Sequence, residues 1–277
     1  MDLAIPALST SAAWLALAAA LLCPAAASAQ AYQCRIPGNL PAARPVSPNE
    51  PAQRTAITGY TLALSWSPEF CRGRDRNAQD RLQCSGAAGR FGFVVHGLWP
   101  EGANRPPQWC RAVPPPSPAV VRGQLCRTPA VQLLSHEWAK HGSCMARSAA
   151  GYFRVSSILA DAMRYPAIES LSRDPALTSG KLREALAAAN PGRPANSFGL
   201  LVNERGWLRE VRVCLDRRFR PVRCPARQAG PRARLARAMR LRSKSGGGCR
   251  KGFHTKTRRC RCAPRARFSF PAFCNGR

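Results

Sequence analysis

Acidic residues are scarce in this chain: its 277 residues include 14 Asp and Glu against 43 Lys and Arg, a formal net charge of +29. From Arg227 to Arg277 there are 16 Lys and Arg and no acid at all. A chain so short of acid attracts polyanions, and nucleic acid, anionic lipid and heparin all satisfy charge alone. Long apolar runs are missing too. The run at 12–23, AAWLALAAALLC, falls short of the roughly 20 residues that cross a bilayer, so a membrane span is not expected. It suits the core of a secretory signal, with Ala27-Ser28-Ala29 as the cleavage site, although Asp2 and the lack of Lys or Arg before the run depart from the usual pattern. No C-x-x-C pair occurs, which argues against a zinc site of the usual spacing. No internal repeat occurs, which excludes repeat architectures. Histidines number only four.

Cysteine, by contrast, is plentiful. Removal of the signal takes Cys23 and leaves twelve, an even number that in an exported chain reads as disulfides before metal ligands. Residues 30–58 form a proline-rich lead-in expected to be irregular. YTLALSW at 60–66 alternates as a half-buried strand. A helix is expected from Thr128 as N-cap and Pro129 at its first position to a stop at Gly142. Further helices are expected over 151–163 and behind Thr178 and Ser179, and FGLLV and WLREVRVCL read as two strands around a turn at Asn203–Gly206. Strands and helices mix without βα alternation, which makes the class α+β. From Arg227 onward the Arg-rich, Gly-rich stretch has few core-forming residues and reads as a poorly structured basic extension.

Two stretches concentrate the chemistry. In GFVVHGLWP, 92–100, Phe91, Phe93 and Val95 alternate with Gly92, Val94 and His96, and Gly97 and Pro100 are expected to stop the strand. A lone histidine at a strand end is ordinarily a satisfied core residue, so His96 needs a partner to mean more. HEWAKHGSC, 136–144, offers one. At about 100° per residue, His136, Lys140, Glu137 and His141 fall at roughly 0°, 40°, 100° and 140°, within half of the helix circumference. A zinc protease is excluded, because its motif needs histidines at i and i+4 and position 140 is Lys. The set suits RNA cleavage by the substrate's own 2′-hydroxyl. That reaction needs a base for the 2′-proton, an acid for the leaving 5′-oxygen and fixed positive charge at the phosphorus. Imidazoles with ordinary pKa about 6.5 serve the first two, and Lys140 with a protonated imidazole the third. No metal or cofactor is called for.

FVVHGLWP and HEWAKHGSC, in this order, resemble the two active-site segments of the ribonuclease T2 family, and LALSWSPEFC and QWC at 108–110 fit the same resemblance over roughly residues 59–225. It implies a central antiparallel sheet with packed helices in a catalytic domain spanning 59–226, followed by the extension 227–277. It implies His96 as general acid, His141 as general base, Glu137 and Lys140 at the charged transition state, His136 on the phosphate and Trp99 stacked on a base, a contact worth about 1–3 kcal/mol. Trp66 and Trp138 are left to packing. By the same resemblance Cys110–Cys144 ties the two motif regions, Cys71–Cys84 and Cys214–Cys224 are short-range candidates, and Cys34–Cys126 is the pair left over. Ser143 stands where the family more often has threonine. The function implied is a secreted or periplasmic, monomeric, metal-independent endoribonuclease on single-stranded RNA, passing through a 2′,3′-cyclic phosphate to 3′-phosphate ends. DNA, without the 2′-hydroxyl, is excluded as substrate. The rival from another class is a basic binding protein for nucleic acid or anionic surfaces that keeps an inactive nuclease fold. The extension could add contact with such a surface, and His254 within it is given no catalytic role.

Overall fold

Val, Leu and aromatic residues alternating with smaller ones produce the framework, an antiparallel sheet in the order β2-β1-β4-β3. Its strands are β1 Gly59–Trp66, β2 Phe93–Glu101, β3 Phe198–Val202 and β4 Leu208–Asp216. The computed structural model describes residues 34–74 and 76–230. Residues 1–29, expected as a leader, and the residues past 230, with His254 and Cys249, Cys260, Cys262 and Cys274, lie outside the described residues. Helices of seven residues or more are α1 Pro118–Gln124, α2 Val131–Glu137, α3 Ala149–Asp161 and α4 Ser179–Ala189. With helices packed on the sheet rather than alternating with parallel strands, the class is α+β.

The core lies between sheet and helices and joins Leu62, Leu64, Trp66, Phe93, Leu98, Leu134, Trp138, Tyr152, Leu182, Phe198 and Val211. Trp66 and Trp138 are buried packing residues, and Phe93 lies tilted against Trp66 and stacked on Tyr165, with ring centroids 4.7 and 4.9 Å apart. β1 is buried on both faces rather than half-buried, because β2 and β4 flank it and the second face is also covered. On that face Thr61 Oγ1 donates to Glu101 Oε1 at 2.7 Å, and the buried Gln228 also meets Thr61 and Glu101.

Three boundaries differ from the sequence expectation. Gly97 and Pro100 do not stop β2, which continues to Glu101. β2 is an edge strand, where a residue without an N–H is tolerated. Thr128 does not cap α2, whose N-cap is Ala130 without a side-chain bond. Its hydroxyl is spent on the free edge of β2, donating to Val95 O at 2.8 Å while Val95 N–H donates to Arg127 O. Residues 227–230, given to the extension on composition, belong to the domain. Ala226–Ala229 is helical, Gln228 is buried, and Arg183 Nη2 donates to Ala229 O at 2.5 Å. The caps at Thr178 and the turn at Asn203–Gly206 fall where the sequence puts them: Thr178 Oγ1 accepts from Lys181 N–H, and Gly206 turns at φ +76°.

The lead-in has no long element, yet it is fastened down. Cys34–Cys126 anchors its start, Ile36, Leu40 and Ala43 pack on the core, and Gln53 bridges Gln108 by two backbone hydrogen bonds. Cys71–Cys84, Cys110–Cys144 and Cys214–Cys224 are also closed.

Tyr152, fully buried on α3, seals the same strand edge: its hydroxyl accepts from Leu98 N–H and donates to Leu98 O, each at 3.1 Å. Tyr152→Phe strands both backbone groups and is expected to destabilise the oxidised protein by about 1–3 kcal/mol in urea denaturation.

Candidate active site

The site forms where β2 meets the end of α2, and a backbone irregularity on each side sets it. On β2 the register to β1 slips: Ala63 pairs with Gly97 and Leu64 with Val95, so His96 is the extra residue of a β-bulge. Bulges re-aim a side chain relative to the strand's alternation. On the helix, Trp138–Gly142 form a π-turn in which Ser143 N–H bonds to Trp138 O five residues back. A regular helix would leave His141 about 140° around from His136. The wider turn makes five residues the hydrogen-bonded repeat and brings His141 back toward His136.

Glu137 is the last residue of α2 and only 2% exposed. Its Oε2 accepts from Trp99 Nε1 at 2.8 Å, and its Oε1 lies 3.6 Å from His96 Nε2. The carboxyl fits because position 97 has no side chain. A Cβ there would stand 1.9 Å from Glu137 Oε2 and 2.7 Å from Trp99 Nε1. The Trp99 indole lies between the two imidazoles, edge-on to His96 at 5.2 Å and tilted to His141 at 5.6 Å, with the Arg212 guanidinium 5.3 Å over its ring.

His96 is held at its other nitrogen as well. Nδ1 lies 2.8 Å from Glu210 Oε2, and Arg212 Nε donates to Glu210 Oε1 at 2.8 Å. Lys140 Nζ is 2.6 Å from Glu50 Oε1, and Gln108 Nε2 donates to Glu50 Oε2 at 3.1 Å. His136 meets the Trp109 ring edge-on at 5.5 Å, and Trp109, at φ +53°, donates its N–H to Lys140 O at 2.7 Å. Ser143 Oγ accepts from Cys110 N–H, so the hydroxyl has a partner and the Cys110–Cys144 bridge sits directly behind the helix.

These surroundings separate the ionisable groups. Burial pulls the His96 pKa down, but the Glu210 hydrogen bond and the charges of Glu137 and Glu210 more than offset it, so it lies above the usual histidine value. Burial and the nearby Lys140, His136 and His96 drive His141 well below that value. His136 is lowered by burial, Lys140 and His96. Burial pushes Glu137 up to about 7. Among the described residues no group of three or more His, Cys, Asp or Glu is arranged to hold a metal ion.

Thus His96, Trp99, His136, Glu137, Lys140 and His141 converge on one region. Sequence reasoning missed Glu210, Arg212, Glu50 and Trp109 as its neighbours. Glu210 and Arg212 sit two apart in a strand, a spacing that puts them on one face. Trp109 lies in the quoted QWC triplet. Glu50 had no signal, since only the path of the lead-in brings it to Lys140.

A profile described as the Ribonuclease T2 family matches residues 58–224. A probable ribonuclease of Haemophilus influenzae is 34% identical over 186 residues, an alignment spanning 63% of this chain and 63% of that protein. A ribonuclease of Aeromonas hydrophila is 33% identical over 163 residues, 57% of this chain and 71% of that protein. Among solved structures, the self-incompatibility-associated SF11-RNase of Nicotiana alata superposes with a TM-score of 0.50 at 17% identity, over 68% of this chain and all of that one. With a family match over more than half its length, on the fold and motifs described, the chain belongs to the ribonuclease T2 family.

Proposed function

We propose that the protein is a metal-independent endoribonuclease that cleaves single-stranded RNA by transphosphorylation through a 2′,3′-cyclic phosphate, then yields 3′-phosphate ends. The observation that carries this reading is the opposite surroundings of two histidines on one site: His96 lies between the carboxyl groups of Glu137 and Glu210, which favour its cation, and His141 beside Lys140 and His136, which with burial disfavour its own. Two titratable groups whose surroundings push them apart are matched to acid and base roles. At mildly acidic pH His141 is neutral and takes the 2′-hydroxyl proton. His96 is protonated and gives its proton to the leaving 5′-oxygen. The attacking oxygen bonds to phosphorus as the P–O5′ bond breaks. Lys140 and His136 face the developing charge, and substrate phosphate displaces the Glu50 carboxylate from Lys140. Glu137, at about 7, holds its proton through the acidic range and can donate to a phosphate oxygen. Trp99 supports Glu137, and its exposed part is assigned to stacking on a base.

Export to the periplasm or beyond accords with four disulfides among the described residues. No helix among those residues is long and apolar enough to cross a membrane. The working division is a leader at 1–29, a lead-in at 30–58, a catalytic domain that includes residues to 230, and a basic extension; the active form is taken as a monomer.

Phosphorus NMR of the oxidised protein with a short RNA in EDTA is expected to show a transient 2′,3′-cyclic phosphate, with matching DNA intact. His96→Ala and His141→Ala should each abolish it, by at least about 100-fold. Intact RNA despite tight binding would instead establish the binding-protein reading. The pH–rate profile should be a bell whose acid limb lies well below 6.5, where His141 charges, and whose alkaline limb lies above 6.5, where His96 loses its proton. Gly97→Ala must move Glu137 or Trp99 and is expected to lower kcat by roughly 100-fold, as displacements near 1 Å at reacting groups do, in steady-state assays.

A further inference from the structure

Glu210 lies outside both motif segments, yet it touches a group assigned to the chemistry. We propose that Glu210 is the positioning residue of His96, fixing through Nδ1 the tautomer and the ring orientation that leave Nε2 to meet the substrate. The inference rests on the reading of His96 as general acid.

The geometry carries it. Glu210 is 4% exposed on β4, opposite Ser65 of β1 and Leu201 of β3, a position where an ionised carboxylate is costly unless each oxygen is bonded. Each oxygen has one such partner: Oε1 takes Arg212 Nε–H, and Oε2 takes His96 Nδ1, both at 2.8 Å. Burial raises the Glu210 pKa, but the hydrogen bond and charge of His96, and after them those of Arg212, more than offset it and hold the carboxylate below its usual range. An ionised carboxylate only accepts, so Nδ1 carries the proton in the neutral ring and Nε2 is the nitrogen that loses and regains one. Nε2 is also the nitrogen that faces Glu137, at 3.6 Å. The bulge gives His96 no strand partner to hold its backbone in register, which makes a side-chain tether useful.

The groups around the ring fix the sign of its effect. Glu210 and Arg212 face it from β4, and Glu137, His136 and His141, with Lys140 beyond, from the helix. Loss of the Glu210 charge leaves burial and Arg212 acting against the imidazolium, with only Glu137 in favour, and that only as pH rises past about 7 and its carboxyl ionises. The His96 pKa then falls and with it the alkaline limb of the rate profile. In the step itself, the 2′-proton passes to His141, the 2′-oxygen bonds to phosphorus, the P–O5′ bond breaks and the His96 Nε2 proton passes to the 5′-oxygen.

The test compares the full-length oxidised protein with Glu210→Gln on a short RNA and on uridine 3′-(4-nitrophenyl phosphate), whose leaving group departs without a proton. On RNA, kcat is expected to fall about 100-fold, with the alkaline limb moved to lower pH and the acid limb in place. On the nitrophenyl ester the rate should stay within about threefold of the parent. Equal losses on both substrates, or an unmoved alkaline limb, overturn the proposal. Nitrogen-15 NMR of the unmutated protein above the His96 pKa gives a second readout, independent of folding of the variant and of activity. A proton on Nδ1 is expected, and one on Nε2 overturns the assignment. A parent protein that cleaves neither substrate defeats the proposed function, while the tautomer still decides the role of Glu210.

Discussion

A carboxyl group that has nowhere to go organises this site. Glu137 ends α2 against β2, almost without solvent, and its two oxygens point at Trp99 and toward His96. A buried carboxyl without donors would cost several kcal/mol, so the surrounding chain is built to supply them. Gly97 makes the approach sterically possible, Trp99 supplies the bond, and the π-turn that follows Glu137 carries Lys140 and His141 on from it. The β2 edge must itself be held for this to work. Tyr152, Thr128 and Arg127 hold it from the helical side, taking the hydrogen bonds that another strand would make.

The two imidazoles differ because the elements around them differ. His96 projects from the bulge between two glutamates, Glu210 from the sheet and Glu137 from the helix, so its cation is favoured. His141 is half-buried beside a lysine and two histidines, and its buried Nδ1 has no hydrogen-bond partner among the described residues, so its neutral form is favoured. On the proposed mechanism, surroundings of this kind set an acid and a base ready at the same pH. The basic charge of the chain acts at longer range and, on the proposed function, would concentrate a polyanionic substrate near the site.

Much of this was legible in the residues. The strands at 60–66 and 198–202, the Thr178 cap and the grouping of His136, Glu137, Lys140 and His141 all follow from local sequence pattern, which short segments carry in themselves. What escaped has nonlocal causes. The bulge at His96 depends on register against β1, and nothing in GFVVHGLWP specifies it. Thr128 carries every local mark of a helix cap, but the unpaired edge of β2 competes for its hydroxyl and wins. Residues 227–230 are composed like the extension, and contacts distant in sequence tie them to the domain: the buried polar cluster of Thr61, Glu101 and Gln228, and the Arg183 bond to Ala229 O. Glu50 and Glu210 come from 46 residues before and 114 residues after His96, so their role could be read only after folding brought them in.

The account stands on the separation of the two histidines, and that separation can be measured without substrate. A proton NMR titration of the imidazole signals in the oxidised protein, with His96 and His141 assigned by single substitution, reads both values directly. The account predicts His96 titrating above 6.5 and His141 well below it. Coincident titrations, or His141 above His96, would contradict it and remove the basis for assigning acid and base to these two residues.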